Sequence, residues 1–252
     1  MNSKYGGQLI YSTRDEHGPI EVVEIKQKLR SLHFGNKTQQ ASMFLYNPVL
    51  LMHKYTQAML TSLCWKTPEK VLVLGVGGGS IPKYLLHYYP AVEIEAVELR
   101  PEVIRIASEY FGLHEDQRLS IHHGLAQDFL NSTSHESYYD LILVDLFLTA
   151  REKDISVDIS EQLIQLDKLL SSEGILCMNV IGNNIEQFAG LNEMCRTFGN
   201  RLYAMAVDKS NIILLATNSQ IPAEEDIEFT SIEKKLGLPF RQYFDKLIAI
   251  NT

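Results

Sequence analysis

Hydrophobic and polar residues alternate with a period of two along the first part of the chain, to about residue 46. This alternation is typical of strands that bury one face. It predicts four strands, over residues 8–13, 20–25, 29–34 and 38–45. Gly35-Asn36 supplies a tight turn between the last two strands. We therefore expect a small antiparallel sheet at the start of the chain.

The pattern then changes to a helical period over residues 48–65, and from residue 70 strands alternate with helices. Such alternation indicates an α/β fold, a doubly wound and mostly parallel sheet with helices on both faces and an antiparallel last strand. We expect two parts, residues 1–64 with the N-terminal strands and a connecting helix, and residues 65–252 with the main sheet. The predicted strands are 71–74, 92–97, 119–122, 141–144, 175–180, 202–207 and 211–217, and the predicted helices are 81–89, 100–111, 160–170, 185–198 and 238–248.

The glycine-rich segment VLVLGVGGGS, between a predicted strand and a predicted helix, carries the strongest chemical signal. Gly75, Gly77, Gly78 and Gly79 allow the backbone to turn tightly and to approach a ligand closely. Glu98 ends the next predicted strand, 23 positions after Gly75. At about this spacing a carboxylate accepts hydrogen bonds from both hydroxyls of a ribose. The combination predicts a nucleotide site.

The glycine pattern alone leaves the nucleotide open between a dinucleotide and S-adenosylmethionine. Its form, G-x-G-G-G, differs from the G-x-G-x-x-G of dinucleotide-binding proteins. The predicted C-terminal hairpin also suits the sheet of a class I methyltransferase, although this is an argument from fold analogy. Both features favour S-adenosylmethionine or a relative of it.

Six segments resemble the spermidine synthase-like (polyamine aminopropyltransferase) family, and the resemblance as a whole covers roughly residues 8–217. They are LRSLHFGNKTQQASM, HKYTQAML, VLVLGVGGGSIPKYLLHYYP, VEIEAVELRPEVIRIASEYFGL, YYDLILVDLF and ILCMNVIGN. The first two point to this family in particular, whereas the others are shared more widely among adenosyl-sulfonium enzymes. The resemblance implies a class I methyltransferase fold, a homodimer formed through the N-terminal region, and aminopropyl transfer to a polyamine such as putrescine.

The resemblance also implies roles for individual residues. The glycine loop would hold the amino-acid end of S-adenosylmethionine or of its decarboxylated form, and Glu98 would bind the ribose. Gln40 and Tyr55 would lie over the active site. Asp145 matches the first acid of the family's D-x-x-D-P signature, which is DLFLT here. It follows a predicted buried strand, where open α/β sheets bind their ligands.

Three family acids are absent from this sequence. The family's loop has an aspartate where this chain has Gly78, and its adenine-contacting aspartate falls at Leu125, so that Gln127 or Asp128 would have to replace it. Leu148 stands in place of the second acid of the signature, the usual general base. Their loss keeps two alternatives open, a methyltransferase of unknown acceptor and a catalytically silent nucleotide-binding protein.

Composition and charge exclude some classes of partner and suggest the compartment in which the protein works. The 252-residue chain has a formal net charge of −8, which argues against binding nucleic acid or an anionic membrane and suits a cationic amine substrate. It has neither an apolar run long enough to span a bilayer nor a secretory leader. Three widely spaced cysteines indicate reduced thiols in the cytoplasm. We expect no metal, because His122 and His123 are adjacent in a predicted strand and point to opposite faces.

Overall fold

The computed structural model describes residues 4–146 and 160–250. Four consecutive antiparallel strands form the predicted N-terminal sheet, in the order β1-β2-β3-β4. They are β1 (Gln8–Asp15), β2 (Gly18–Ile25), β3 (Leu29–His33) and β4 (Ala41–Phe44). The fourth strand is shorter than predicted because Asn36 accepts a hydrogen bond from the backbone N–H of Thr38, which continues the turn at 35–36.

An eight-stranded sheet forms the second layer, with helices packed on both of its faces. Its strands are β5 (Lys70–Leu74), β6 (Glu93–Glu98), β7 (Leu119–His123), β8 (Tyr139–Val144), β9 (Leu170–Ile181), β10 (Leu202–Ala206), β11 (Asn211–Thr217) and β12 (Ile248–Ala249). The helices are α1 (Lys54–Met59), α2 (Ser80–Tyr88), α3 (Pro101–Phe111), α4 (Ala126–Ser132), α5 (Leu163–Leu169), α6 (Leu191–Phe198), α7 (Phe229–Leu236) and α8 (Phe240–Phe244). The predicted α/β class is confirmed.

The strand order is β12-β10-β11-β9-β8-β5-β6-β7. Strands β7, β6, β5, β8 and β9 pair in parallel, and β11 pairs antiparallel with both β9 and β10. After β5 the chain continues toward β6 on one side, whereas β8 lies on the other. The order therefore reverses between β5 and β8, and ligands of open α/β sheets bind beyond the carboxyl ends of the strands at such a point.

Several element boundaries differ from those predicted. The helix predicted over 48–65 begins only at Lys54, because the preceding residue, His53, is extended. The terminal helix predicted over 238–248 is only α8, Phe240–Phe244, which begins just after Pro239. Helix α7, which ends before Gly237, a residue in a left-handed conformation, was not predicted. Helix α4 was not predicted; only Ala126 and Leu130 are buried in it, too few to reveal a helical period. The antiparallel strand β11 lies inside the sheet and not at its edge.

The N-terminal sheet buries its apolar face against helix α3. Ile20, Val22 and Leu32 from the sheet pack with Ile106 and Phe111 of the helix. A single sheet layer must bury its apolar face against another element, so this contact with α3 completes the sheet. Within the described residues, no helix combines the length and hydrophobicity needed to cross a membrane.

An ion pair connects the two sheets beside this core. The Arg100 guanidinium donates hydrogen bonds to both carboxylate oxygens of Asp15, at 2.8 and 2.7 Å, and to the carbonyl oxygen of Gly18, at 3.0 Å. The side chain of Arg100 is only 6% exposed, so little water competes for these bonds. They hold the pKa of the Asp15 carboxyl below its ordinary value.

We expect Asp15→Asn to destabilise the fold by about 1.5–3 kcal/mol at pH 7, because it leaves a buried guanidinium partly unpaired. The pKa of Asp15 is lowered by folding, so its contribution is present above about pH 4, the unfolded value, and disappears as the pH falls through the folded value. Chemical denaturation at pH 7 and at pH 3 would measure both effects. An equal loss at the two pH values would contradict this account.

Candidate active site

Glycine is required in the loop after β5 because the backbone there is left-handed and crowded. Gly75, Gly77 and Gly79 have φ angles of +92°, +53° and +69°. A Cβ on Gly75 would lie 2.4 Å from the carbonyl oxygen of Asp145. The N–H of Gly75 donates to the carbonyl of Val97 at 2.9 Å, which ties the loop to the end of β6. No other residue type would fit at Gly75 without moving the backbone after β8.

Gly78 has no room for a side chain, for a different reason. A Cβ at this position would lie 2.6 Å from the Cβ of Ala41 in β4 and 3.2 Å from the ring of Phe111. The family aspartate absent at this position therefore has no space here while β4 stays in place. By contrast, no atom of the described residues lies within 4 Å of a Cβ built on Gly77. The loop is packed against the N-terminal sheet at Gly78 and open at Gly77.

Glu98 ends β6 and holds the glycine loop through its carboxylate. One oxygen accepts hydrogen bonds from the backbone N–H groups of Val76, at 3.0 Å, and Gly77, at 3.2 Å. The other accepts from the N–H of Arg100, at 3.0 Å. The ribose role stays a prediction, but the same carboxylate also fixes the loop geometry, a function that sequence spacing did not indicate.

Asp145 follows β8 directly and lies at the centre of a line of side-chain hydrogen bonds. Its Oδ1 accepts a hydrogen bond from the Asn179 amide at 2.9 Å, and the Asn179 amide oxygen accepts one from Asn211 at 2.9 Å. The Tyr55 hydroxyl also bonds the Asp145 carboxylate. Asn179 is 4% exposed and is the one polar residue in the apolar second half of β9, residues 175–181, a signal visible in the sequence.

Burial dominates the proton affinities of these two groups. It raises the pKa of the Asp145 carboxyl to about 6, against the smaller opposing effect of the Asn179 and Tyr55 hydrogen bonds, and the nearby Glu98 charge raises it further. Burial, together with the Asp145 charge, raises the pKa of the Tyr55 hydroxyl well above its usual range. At neutral pH the pair is a carboxylate that accepts a hydrogen bond from a neutral phenol.

A single cleft contains most of the predicted site residues. The cleft is narrow in this structure: its cavity volume is about 30 Å³, well below the range for ligand pockets, so a nucleoside would have to widen it. Its lining brings together the predicted residues Gln40, Tyr55, Gly75, Gly77, Gly78 and Asp145, and adds Ala41, His53, Thr56, Val76, Ser80, Ile81 and Pro82. Of the added residues, His53 is the one with acid–base chemistry, and we did not predict it.

Three predicted site residues, Gly79, Glu98 and Asp128, are not part of that lining. Gly79 is at the start of α2, where a Cβ would lie 2.6 Å from Leu113. Asp128 is exposed in the first turn of α4, and Leu125, just before that helix, is 46% exposed. Leu148, in the place of the second family acid, is outside the described residues.

Among the described residues, neither a second groove nor a metal-binding cluster contributes to this site. A wider groove between α3 and β7, lined in part by Arg105, His114 and Leu119, includes neither the glycines nor Asp145. Within residues 4–146 and 160–250, no three histidine, cysteine or acidic side chains lie close enough together to hold a metal ion. The three cysteines are free thiols.

The packing of the loop yields a test by double substitution. We expect Gly78→Ala to destabilise the protein by about 1–3 kcal/mol, because its methyl group overlaps Ala41. Ala41→Gly should recover much of this loss. Gly77→Ala has space but a left-handed φ, so we expect a loss of about 1–2 kcal/mol that Ala41→Gly does not recover. Denaturant unfolding of the single and double variants measures the coupling, and equal coupling for both glycines would contradict this explanation.

The raised pKa of Asp145 predicts a stability that depends on pH. The folded value, about 6, lies above the unfolded value of about 3.9, so the wild type loses stability as the pH rises from 4 to 6. Asp145→Asn removes this loss, and we expect the variant to exceed the wild type by about 1–3 kcal/mol at pH 8 but not at pH 4. Denaturant unfolding at both pH values measures the difference. Asp226→Asn, which removes an exposed carboxylate, is the matched control.

Known proteins resemble this chain over nearly its whole length. The polyamine aminopropyltransferase of Chromobacterium violaceum is 27% identical over 239 residues, which cover 91% of this chain and 90% of that protein. The crystal structure of a probable spermidine synthase from Corynebacterium glutamicum superposes with a TM-score of 0.75 at 18% identity, covering 97% of both chains. Human methyltransferase-like protein 13 superposes with a TM-score of 0.58 at 21% identity, covering 79% of this chain and 96% of that one.

The solved structures, at these identities, support the fold, a methyltransferase-like sheet that carries a small N-terminal sheet. The family assignment comes from the sequence model of the spermine/spermidine synthase domain, which matches residues 49–201. This stretch contains the glycine loop, Glu98, Tyr55 and Asp145, the residues whose geometry is described above. The chain therefore belongs to the spermine/spermidine synthase domain family, and it is a transferase of the spermidine synthase-like type.

Proposed function

We propose that this transferase binds decarboxylated S-adenosylmethionine and transfers its aminopropyl group to a polyamine such as putrescine. The observation that carries the proposal is the position of Asp145: a carboxylate held by Asn179 and Tyr55, in the same cleft as the glycine loop. This cleft opens at the reversal of strand order in the sheet, the usual ligand position of this fold.

The glycine loop supports the nucleoside half of the proposal. Gly77 presents backbone to the cleft, and among the described residues no atom lies within 4 Å of a Cβ built there, so a ligand can approach the main chain. Glu98 contacts the loop from the other side and would share its carboxylate with the ribose hydroxyls. In the structure of human methyltransferase-like protein 13, which has the same fold, the ligand is SAH.

Asp145 supports the amine half. An alkyl amine has a pKa near 10.4, the value for lysine, and it is therefore a cation at neutral pH. With its own pKa at about 6, the Asp145 carboxyl is mostly ionised at pH 7 and offers that cation a counter-charge. Two neutral donors, the Asn179 amide and the Tyr55 hydroxyl, orient the carboxylate without neutralising it. The site therefore fits a positively charged acceptor better than a neutral one.

The absent acids do not remove the chemistry that the reaction needs. The sulfonium is already an activated leaving group, so the protein mainly positions two reactants and removes one proton from the amine. Asp145 can position the amine without help from a carboxylate at 78, where β4 leaves no space. We propose Asp128, Gln40 and Tyr55 as further contacts to the nucleoside and the amine.

Ligand-dependent thermal stability tests the nucleoside. At a hundredfold excess over Kd, a bound ligand stabilises the fold by about 2.7 kcal/mol, or about 5–10 °C for a chain of this size. We expect decarboxylated S-adenosylmethionine and methylthioadenosine to give such a shift. Glu98→Ala should abolish it, and Glu115→Ala, an exposed acid, should not. Unchanged affinity in Glu98→Ala would exclude the ribose contact.

Product formation tests the transfer. With decarboxylated S-adenosylmethionine and putrescine we expect spermidine and methylthioadenosine in equal amounts. Stabilisation by S-adenosylmethionine alone, with methyl transfer to an acceptor, would replace the proposal with a methyltransferase. Binding of a nucleoside without turnover of any amine or methyl acceptor would replace it with a silent binding protein.

A further inference from the structure

His53 is the acid–base side chain of the cleft to which neither the sequence patterns nor the family resemblance assigned a role. It lies in extended backbone just before α1, and its ring centroid is 5.6 Å from that of Tyr55. The ring lines the same cleft as Asp145 and the glycine loop. Its Nε2 is shielded from solvent and has no hydrogen-bond partner among the described residues.

A buried ring nitrogen without a partner costs free energy, about 1–3 kcal/mol, and such atoms call for a functional explanation. His33, in the N-terminal sheet, shows what a purely structural histidine looks like in this molecule. Its Nε2 bonds the Ser31 hydroxyl at 2.9 Å and its Nδ1 bonds the Thr38 carbonyl at 3.0 Å. The Nε2 of His53 has no such hydrogen-bond partner among the described residues, although its ring lines the cleft in which the amine is proposed to bind.

We propose that His53 accepts the proton from the amine that attacks the sulfonium nucleoside, an assignment that rests on the proposed function. In the tautomer with its proton on Nδ1, Nε2 carries a lone pair. The ammonium held by Asp145 gives one proton to Nε2, and the freed nitrogen lone pair forms the new C–N bond. The C–S bond breaks with its electron pair on sulfur, which becomes a neutral thioether. The imidazolium then releases its proton to solvent.

The other titratable groups that the structure describes in or beside the cleft are less suited to this step. Tyr55 keeps its proton at neutral pH, because burial and the Asp145 charge raise the pKa of its hydroxyl. Asp145 accepts hydrogen bonds from Asn179 and Tyr55 and provides the charge that holds the cation. Glu98 accepts three backbone N–H groups. Burial lowers the pKa of His53, so the imidazole is neutral at pH 7 and able to accept a proton.

Transfer of a proton from a free alkylammonium ion to this imidazole is unfavourable, because the pKa of the ammonium is much higher than that of the imidazolium. Desolvation in the cleft and the positive charge of the sulfonium both lower the pKa of the bound amine, which reduces the difference. A positioned base contributes typically about 10²–10⁴-fold to a rate. This range sets the size of the effect that His53 should have.

The experiment is the pH profile of aminopropyl transfer by the full chain with decarboxylated S-adenosylmethionine and putrescine. We expect His53→Gln to lower kcat at pH 7 by about 10²-fold or more, with the thermal shift by methylthioadenosine retained. Because more of the amine is neutral at high pH, the deficit should shrink to less than about tenfold at pH 9.5. Added imidazole should restore part of the rate at pH 7. His87→Gln, an exposed histidine of α2, is the control.

The outcomes separate this assignment from the proposed function. Suppose the wild type makes spermidine but His53→Gln is equally active, or is reduced by the same factor at every pH. That result would overturn the role of His53 and leave the proposed function intact. A wild type that binds the nucleoside but transfers nothing to any amine would overturn both. If His53→Gln and His53→Asn both fail to fold, ¹⁵N spectra of the wild-type histidines decide: Nε2 of His53 should shift when putrescine joins the methylthioadenosine complex, and an unchanged resonance would refute the proposal.

Discussion

The close approach of two backbones at the carboxyl ends of β5 and β8 is the constraint on which the site depends. Gly75 contacts the carbonyl of Asp145 so closely that a Cβ would lie 2.4 Å away, and the N–H of Asp145 donates to the carbonyl of Leu74 at 2.8 Å. These contacts place the acid directly beside the glycine loop. A side chain at position 75 would push the glycine loop away from Asp145.

Glu98 connects this geometry to ligand binding. Three backbone N–H groups occupy three of the roughly four lone-pair positions that a carboxylate offers. A ribose that bonds Glu98 must therefore share or displace the N–H groups of Val76 and Gly77. If Glu98 binds the ribose as proposed, loop conformation and nucleoside affinity are coupled through this one side chain, and a substitution there changes both.

The N-terminal sheet forms part of the active-site wall. Ala41 of β4 occupies the space in which the family's loop aspartate would stand, and the neighbouring Gln40 lines the cleft. Arg100 holds the turn at Asp15 and Gly18 against the same region, immediately after Glu98. Changes in the packing of this sheet should therefore reach the cleft through β4 and through residues 98–100.

Features that depend on near neighbours along the chain could be predicted from residue order: the change from strand alternation to strand–helix alternation, the glycine loop, the spacing to Glu98 and the acid after β8. Which distant residues meet depends on how the folded elements pack together. Asn179 bonds Asp145 across 34 positions, and Ala41 fills the space at Gly78 from a different sheet. His53 and Asn179 carry no periodic signal, and a short helix such as α4 has too few buried residues to show one. Local periodicity records which face of an element is buried, whereas packing between elements decides what that face touches.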